Sequence, residues 1–183
     1  MTRWLLTGGA GYIGCHVTRE LLAAGTNAVI VDDLSTGMAS RVPDDVPLVV
    51  GDVADTDLLV KTMRAHDVDG VMHFAAKKAV GESVERPLYY YQQNIDGLLS
   101  VLEAMARARV ARIVYSSSAA VYGEPDLPLI TEADATVPTN PYGETKLFGE
   151  LAVRAQARAE EIAKSPISFV LMRYFNVAGA GSP

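Results

Sequence analysis

Thr7-Gly8-Gly9-Ala10-Gly11-Tyr12-Ile13-Gly14 follows directly on the apolar run Trp4-Leu5-Leu6. Glycine at positions 8, 11 and 14, between a predicted strand and a predicted helix, reads as a backbone cradle for a pyrophosphate. Glycine permits the tight turn and lets a phosphate approach the main chain with no Cβ in the way. The N-terminus of the helix adds free N–H groups and the positive end of its dipole. The same spacing also describes a plain strand-to-helix turn, but the strand before it and the helix after it favour the cradle.

Outward from this stretch, short apolar runs alternate with longer amphipathic segments. Strands are expected at 3–7, 28–31, 48–50, 70–74, 111–116 and 167–173. Helices are expected at 12–24, 56–66, 87–109 and 142–163, with Leu58, Leu59 and Met63 inward on the second and Leu98, Leu99, Leu102 and Met105 inward on the third. Helical crossovers of this length imply a parallel sheet covered on both faces, the doubly wound α/β (Rossmann-type) class, with ligands at the carboxyl ends of the strands. The longest predicted loop, 123–141, carries Pro125, Pro128, Pro138 and Pro141, and a loop of that length is more often functional than idle.

At 183 residues the chain suits one domain. With 49% hydrophobic residues, 21% charged residues and a formal charge of −6, it has an ordinary globular composition with an acidic balance. Without a basic cluster, nucleic acid and anionic membrane are not its expected partners. The single cysteine, Cys15, rules out an intrachain disulfide and reads as a small packing residue in a cytoplasmic protein. No secretory leader and no apolar stretch of membrane-spanning length is expected, nor a metal site.

Asp32 closes the second strand, about 20 residues beyond the glycines, where a carboxylate accepts from the adenosine ribose hydroxyls. It would repel a 2′-phosphate, so NAD is expected rather than NADP. Asp33 is a lesser candidate for the same role. Asp52 reads either as an acceptor for the adenine amino group or as a turn or helix cap. Tyr142 and Lys146, at i and i+4, share a helix face. A free phenol titrates near pH 10 and a useful base near 7, a difference of about 4 kcal/mol; a nearby ammonium and a positive nicotinamide ring can supply it. Alone, the Tyr/Lys spacing also describes a solvated helix face. Ser116-Ser117-Ser118 falls at the ligand edge of the sheet, where a hydroxyl can bond the reacting oxygen or simply cap a turn.

At this point the sequence resembles the UDP-glucose 4-epimerases, extended short-chain dehydrogenases/reductases. The matching strings are the glycine stretch from Thr7, Val31-Asp-Asp-Leu-Ser, Gly51-Asp-Val, His73-Phe-Ala-Ala-Lys-Lys-Ala-Val-Gly-Glu-Ser, Ser116-Ser-Ser-Ala-Ala-Val-Tyr-Gly, Asn140-Pro-Tyr-Gly-Glu-Thr-Lys and Arg173-Tyr-Phe-Asn-Val-Ala-Gly-Ala. The resemblance implies Tyr142 as base, Ser118 as its hydrogen-bonding partner, and Lys146 as the residue that holds the nicotinamide ribose and lowers the phenol's pKa. It implies NAD contacts at Gly8, Gly11, Tyr12, Ile13, Gly14, Asp32, Asp52, Val53 and Phe74. Lys78 is implied at the pyrophosphate, Asn94 and Tyr174 around the nicotinamide, and Asn176 at the sugar nucleotide. Read without the resemblance, Lys78, Asn94, Tyr174 and Asn176 are an exposed charge, a buried amide, a packed ring and a strand-end cap.

The implied chemistry is reversible oxidation at the sugar C4 through a 4-keto intermediate, interconverting UDP-glucose and UDP-galactose; glucuronate, pentose or N-acetyl sugars are the alternative UDP-sugar substrates. Related 4,6-dehydratases carry an acidic pair where Ala119-Ala120 stands. The family's C-terminal substrate region is not present up to Pro183, so a non-catalytic NAD-binding unit over 1–183 is the rival expectation. The family's homodimers pair the helices at 94–109 and 142–163; Leu147 and Leu151 permit that packing and also fit an internal core face.

Overall fold

A computed structural model describes residues 2–126 and 128–180. Met1, Leu127 within the predicted loop, and residues 181–183 lie outside them. Six parallel strands form one sheet: β1 (Arg3–Thr7), β2 (Asn27–Asp32), β3 (Leu48–Val50), β4 (Gly70–His73), β5 (Arg112–Ser118) and β6 (Ser168–Tyr174). Their spatial order is β3-β2-β1-β4-β5-β6. The order reverses between β1 and β4, the switch point at which sheets of this class open a crevice. The doubly wound architecture expected from the alternating pattern is what the chain adopts.

The period of two along each strand sorts side chains onto two faces. Leu5, Val29, Val31, Val71 and Ile113 enter one apolar cluster, under α2 (Thr56–Ala65) and α5 (Gly97–Ala108). Leu6, Ala28 and Ile30 enter the other, beneath α1 (Tyr12–Ala23) with Val17 and Leu21. Each fully buried aliphatic side chain of this size contributes about 1.5–3 kcal/mol, so both faces hold the central strands in register. Asp55 caps α2 by accepting from Leu58 N at 2.9 Å, and Asn140 caps α6 (Pro141–Ile162) by accepting from Gly143 N at 2.9 Å.

The helix expected at 87–109 is continuous but not uniform. A five-residue α-turn segment, α4 (Pro87–Tyr91), runs through a π-turn at Gln92–Asp96 into α5. Such wide turns are rare and cluster at functional sites. Leu98, Leu102 and Met105 are buried, but Leu99 is 45% exposed, against expectation. Leu98, Leu102 and Met105 follow the i, i+4, i+7 row, and Leu99 sits about 100° further round the helix. Leu151 on α6 is likewise 58% exposed and does not join the core. A short helix not expected from the sequence, α3 (Val80–Glu85), lies between β4 and α4.

Candidate active site

The carboxyl ends of the strands open onto a groove of about 1150 Å³. At one end is the β1–α1 turn. Gly8 has φ +71°, and a Cβ there would stand 2.7 Å from Ala75 N. A Cβ on Gly14 would lie 2.6 Å from the Gly9 Cα. Both glycines are therefore required by close backbone approach. Asp32 ties this turn to the end of β2: its Oδ2 accepts from Ala10 N at 3.0 Å and its Oδ1 from Leu34 N at 2.8 Å. Asp52 accepts from Ala54 N at 2.9 Å, as a turn-forming residue does, while also facing the groove.

Gly8, Gly11, Tyr12, Ile13, Gly14, Asp32, Asp52, Val53, Phe74 and Lys78 all line the groove, and Asn176 lines its far end with Tyr174. The Tyr12 hydroxyl donates to Gly179 O at 2.5 Å, bringing the segment after β6 back over the glycine turn. Asn94 is the exception. Its Oδ1 accepts from Lys77 N at 2.7 Å, and its Nδ2 donates to Lys77 O and to Thr145 Oγ1, each at 3.0 Å. Thr145 Oγ1 in turn donates to Tyr142 O at 2.7 Å, so it must accept from Asn94. Both amide hydrogens are thus committed inside the protein, and Asn94 does not line the groove. It fixes the β4 exit loop against α6 rather than presenting an amide to a ligand.

Ser118, Tyr142 and Lys146 meet at the other end of the groove. The three serines of β5 have separate tasks. The Ser116 carbonyl accepts from Lys146 Nζ at 2.7 Å. Ser117 Oγ donates to Glu150 at 2.5 Å. Ser118 Oγ accepts from Ala120 N at 3.1 Å, capping the turn at Ala119–Tyr122, and keeps its hydrogen free for the Tyr142 phenol.

Burial pushes the Tyr142 phenol above its ordinary value, with Ser118 pulling the other way. Lys146 is 3% exposed, and its ammonium donates to Ser116 O and lies 5.9 Å from the Tyr142 ring centre. Burial pulls Lys146 itself down to about 8. His73, buried behind it and bonded to Thr7 Oγ1 at 2.7 Å, is held near 3, by burial first and by Lys146 second. The Tyr174 hydroxyl is buried and completes no hydrogen bond among the described residues, although Ser116 lies close enough to offset part of the burial that raises its pKa.

Behind the serines stands a pair that sequence reasoning missed. Glu150 on α6 is 2% exposed and receives Arg173 Nε at 2.8 Å and Nη2 at 2.6 Å. Arg173 also donates to the Tyr122 hydroxyl at 3.0 Å. Arg173 was legible as part of a matching string, but its partner is 23 residues away on another element.

Residues 4–183 match the profile of the NAD dependent epimerase/dehydratase family. A UDP-glucose 4-epimerase of Azospirillum brasilense is 49% identical over 178 residues, 97% of this chain and 50% of that protein. A crystal structure of UDP-glucose 4-epimerase from Brucella ovis in complex with NAD superposes with a TM-score of 0.93 at 41% identity, covering 99% of this chain and 54% of the other. That of Bifidobacterium longum UDP-glucose 4-epimerase with NAD+ and UDP gives 0.87 at 39%, covering 96% and 53%. The chain spans about half the length of the relatives it matches.

Proposed function

The chain belongs to the NAD dependent epimerase/dehydratase family, and we propose that it carries the cofactor site and proton-transfer residues of an NAD-dependent nucleotide-sugar 4-epimerase acting on UDP-glucose and UDP-galactose. The observation that carries the reading is the convergence, in one groove, of a turn only glycine can form and the Ser118–Tyr142–Lys146 group. The groove fits NAD. Its glycine turn has no room for a Cβ, Asp32 closes it with acidic character against a 2′-phosphate, and the Tyr174 hydroxyl is an unfilled polar position on its wall.

Gly8, Gly11 and Gly14 would hold the pyrophosphate with Lys78; Asp32 the adenosine ribose; Asp52, Val53 and Phe74 the adenine side; and Lys146 with Tyr174 the nicotinamide side. NAD, when bound, would supply reversible hydride acceptance at the sugar C4, the chemistry that a 4-keto route requires. Tyr142 Oη accepts the 4-hydroxyl proton and gives it back, and Ser118 Oγ orients the same oxygen. The phenol needs help, since burial alone raises its pKa. The positive charge of a bound nicotinamide ring, together with the Lys146 ammonium in its protonated form, would supply it. Asn176 would meet the sugar nucleotide.

The test is conversion of UDP-galactose to UDP-glucose by the chain with NAD added, compared with Tyr142→Phe. The reading expects turnover in the first and none in the second, with NAD still bound. Equal turnover in both refutes it. Faster turnover of a UDP-glucuronate, pentose or N-acetyl donor would move the substrate assignment within the same chemistry. The chain's coverage of about half its relatives favours one second reading, a cofactor-binding unit without turnover of its own; NAD binding with no conversion selects it. The exposed Leu99, Phe148 and Leu151 on α5 and α6 offer a surface that a second copy would cover, and size-exclusion mass measurement decides it. Among the described residues no helix is long and apolar enough to cross a membrane. The free, buried Cys15 suits the reducing cytoplasm we propose as its setting.

A further inference from the structure

Lys77 has no role in the assignment above, yet the structure fixes it at both ends. Its peptide is clamped on the Asn94 amide through N–H and C=O, at 2.7 and 3.0 Å. Its side chain runs to Ser35, where Nζ donates to Oγ at 3.2 Å. Ser35 is held in turn by Asp33, which accepts from Ser35 N at 2.9 Å and Ser35 Oγ at 2.7 Å. Burial works to raise the Asp33 pKa, but the Ser35 bonds and the Lys77 charge outweigh it, so Asp33 stays ionised.

The topology gives this contact its meaning. Lys77 follows β4 and Ser35 follows β2, and β1 lies between those strands. The Lys77–Ser35 bond therefore crosses two strand spacings, roughly 9–10 Å, over the carboxyl end of β1 and its glycine turn. Lys77, Ser35 and Asp33 all line the groove. We propose that Lys77 is a cofactor-retaining residue: with Ser35 and Asp33 it forms a strap across the pyrophosphate cradle that must open before a bound dinucleotide can leave. The proposal rests on the reading of the groove as an NAD site. The Lys77 ammonium, on the groove wall, would add positive charge to a site where α1 already offers its N–H groups. Lys78, the adjacent cation, is the pyrophosphate contact in that reading; Lys77 acts by bridging, and its effect is on release.

The experiment loads the chain with radiolabelled NAD and follows its loss during a chase with unlabelled NAD. Lys77→Met keeps the stem and removes the ammonium, and Ser35→Ala removes the far anchor. Each is expected to speed release about fivefold or more, the scale of one charge-assisted hydrogen bond. Because they break one contact, the double variant should be no faster than either single, and Lys77→Arg should restore slow release. Ser35 is exposed and Lys77 half-buried with its ammonium at the surface, so the thermal midpoints of these variants should match wild type. Unchanged release in Lys77→Met overturns the strap, as do additive effects in the double variant or faster uptake with unaltered release. Failure of the wild-type chain to take up NAD overturns the cofactor reading together with the strap, whereas uptake with unaltered release in the variants overturns the strap alone.

Discussion

Replacing Glu150 removes the only carboxylate in contact with the Arg173 guanidinium among the described residues. Glu150→Leu deletes two charge-assisted bonds, at 2.6 and 2.8 Å, and leaves Ser117 Oγ without its 2.5 Å acceptor. Arg173, with a side chain only 15% exposed, would keep its bond to Tyr122 but lose its counter-charge. Stranding one member of a buried pair costs about 3–5 kcal/mol. For a domain of this size that is a fall in Tm of roughly 6–20 °C. Urea unfolding at pH 7 should show it as a lower midpoint at unchanged m. Glu150→Leu with Arg173→Leu should recover most of the loss, because no unpaired charge remains.

The pH dependence has a definite sign. Burial opposes ionisation of Glu150, but Arg173 and Ser117 hold its carboxyl below the ordinary value. The folded pKa being the lower one, the pair's stabilisation is full above the unfolded carboxylate pKa and is lost as pH falls through the folded one. Glu150→Gln should lack that acid-side loss. A single Glu150→Leu variant within about 1 kcal/mol of wild type, the range of exposed pairs, would refute the reasoning.

Gly8→Val puts a branched side chain at φ +71° against Ala75 N, so NAD binding measured by calorimetry should disappear; binding within twofold of wild type would contradict the cradle. His73, held near 3 in the fold against 6.5 unfolded, binds fewer protons than the unfolded chain between those values. Stability should therefore decline as pH falls from 6.5 toward 3, and His73→Gln should flatten that decline in a Tm-versus-pH series. Lys146 is drawn from 10.5 to about 8, so burying its charge costs on the order of 3 kcal/mol. That cost is present below about pH 8 and relieved as pH rises to 10.5. The stability of Lys146→Met relative to wild type should be greater at pH 7 than at pH 10 by urea titration; no pH dependence in the difference would contradict the placement of the ammonium.

The strands and the longer helices were legible because the strands keep two apolar faces and those helices a 3.6-residue stripe. Leu99 misled because it neighbours Leu98 in sequence, and only the packing partners show which of the two the sheet takes. Tyr142 and Lys146 were legible as neighbours, since i and i+4 fix that geometry locally. Which backbone group Lys146 bonds was not, because that partner, the Ser116 carbonyl, lies 30 residues earlier. Asn94 could be read as polar and inward. Its partners, 17 and 51 residues away, and the π-turn that aims it, leave no periodic trace. The Glu150–Arg173 pair joins a helix to an edge strand for the same reason without a motif. Composition and spacing report local geometry well; they do not report which distant backbone group a polar side chain finds.

The account's central claim is that this groove makes Tyr142 a proton acceptor once NAD is in place. Ultraviolet titration of phenolate, taken as wild type minus Tyr142→Phe, measures it with and without saturating NAD. The account predicts a phenol titrating above its ordinary value of 10 in the free chain and well below it with NAD bound. A midpoint that NAD leaves unmoved would contradict it.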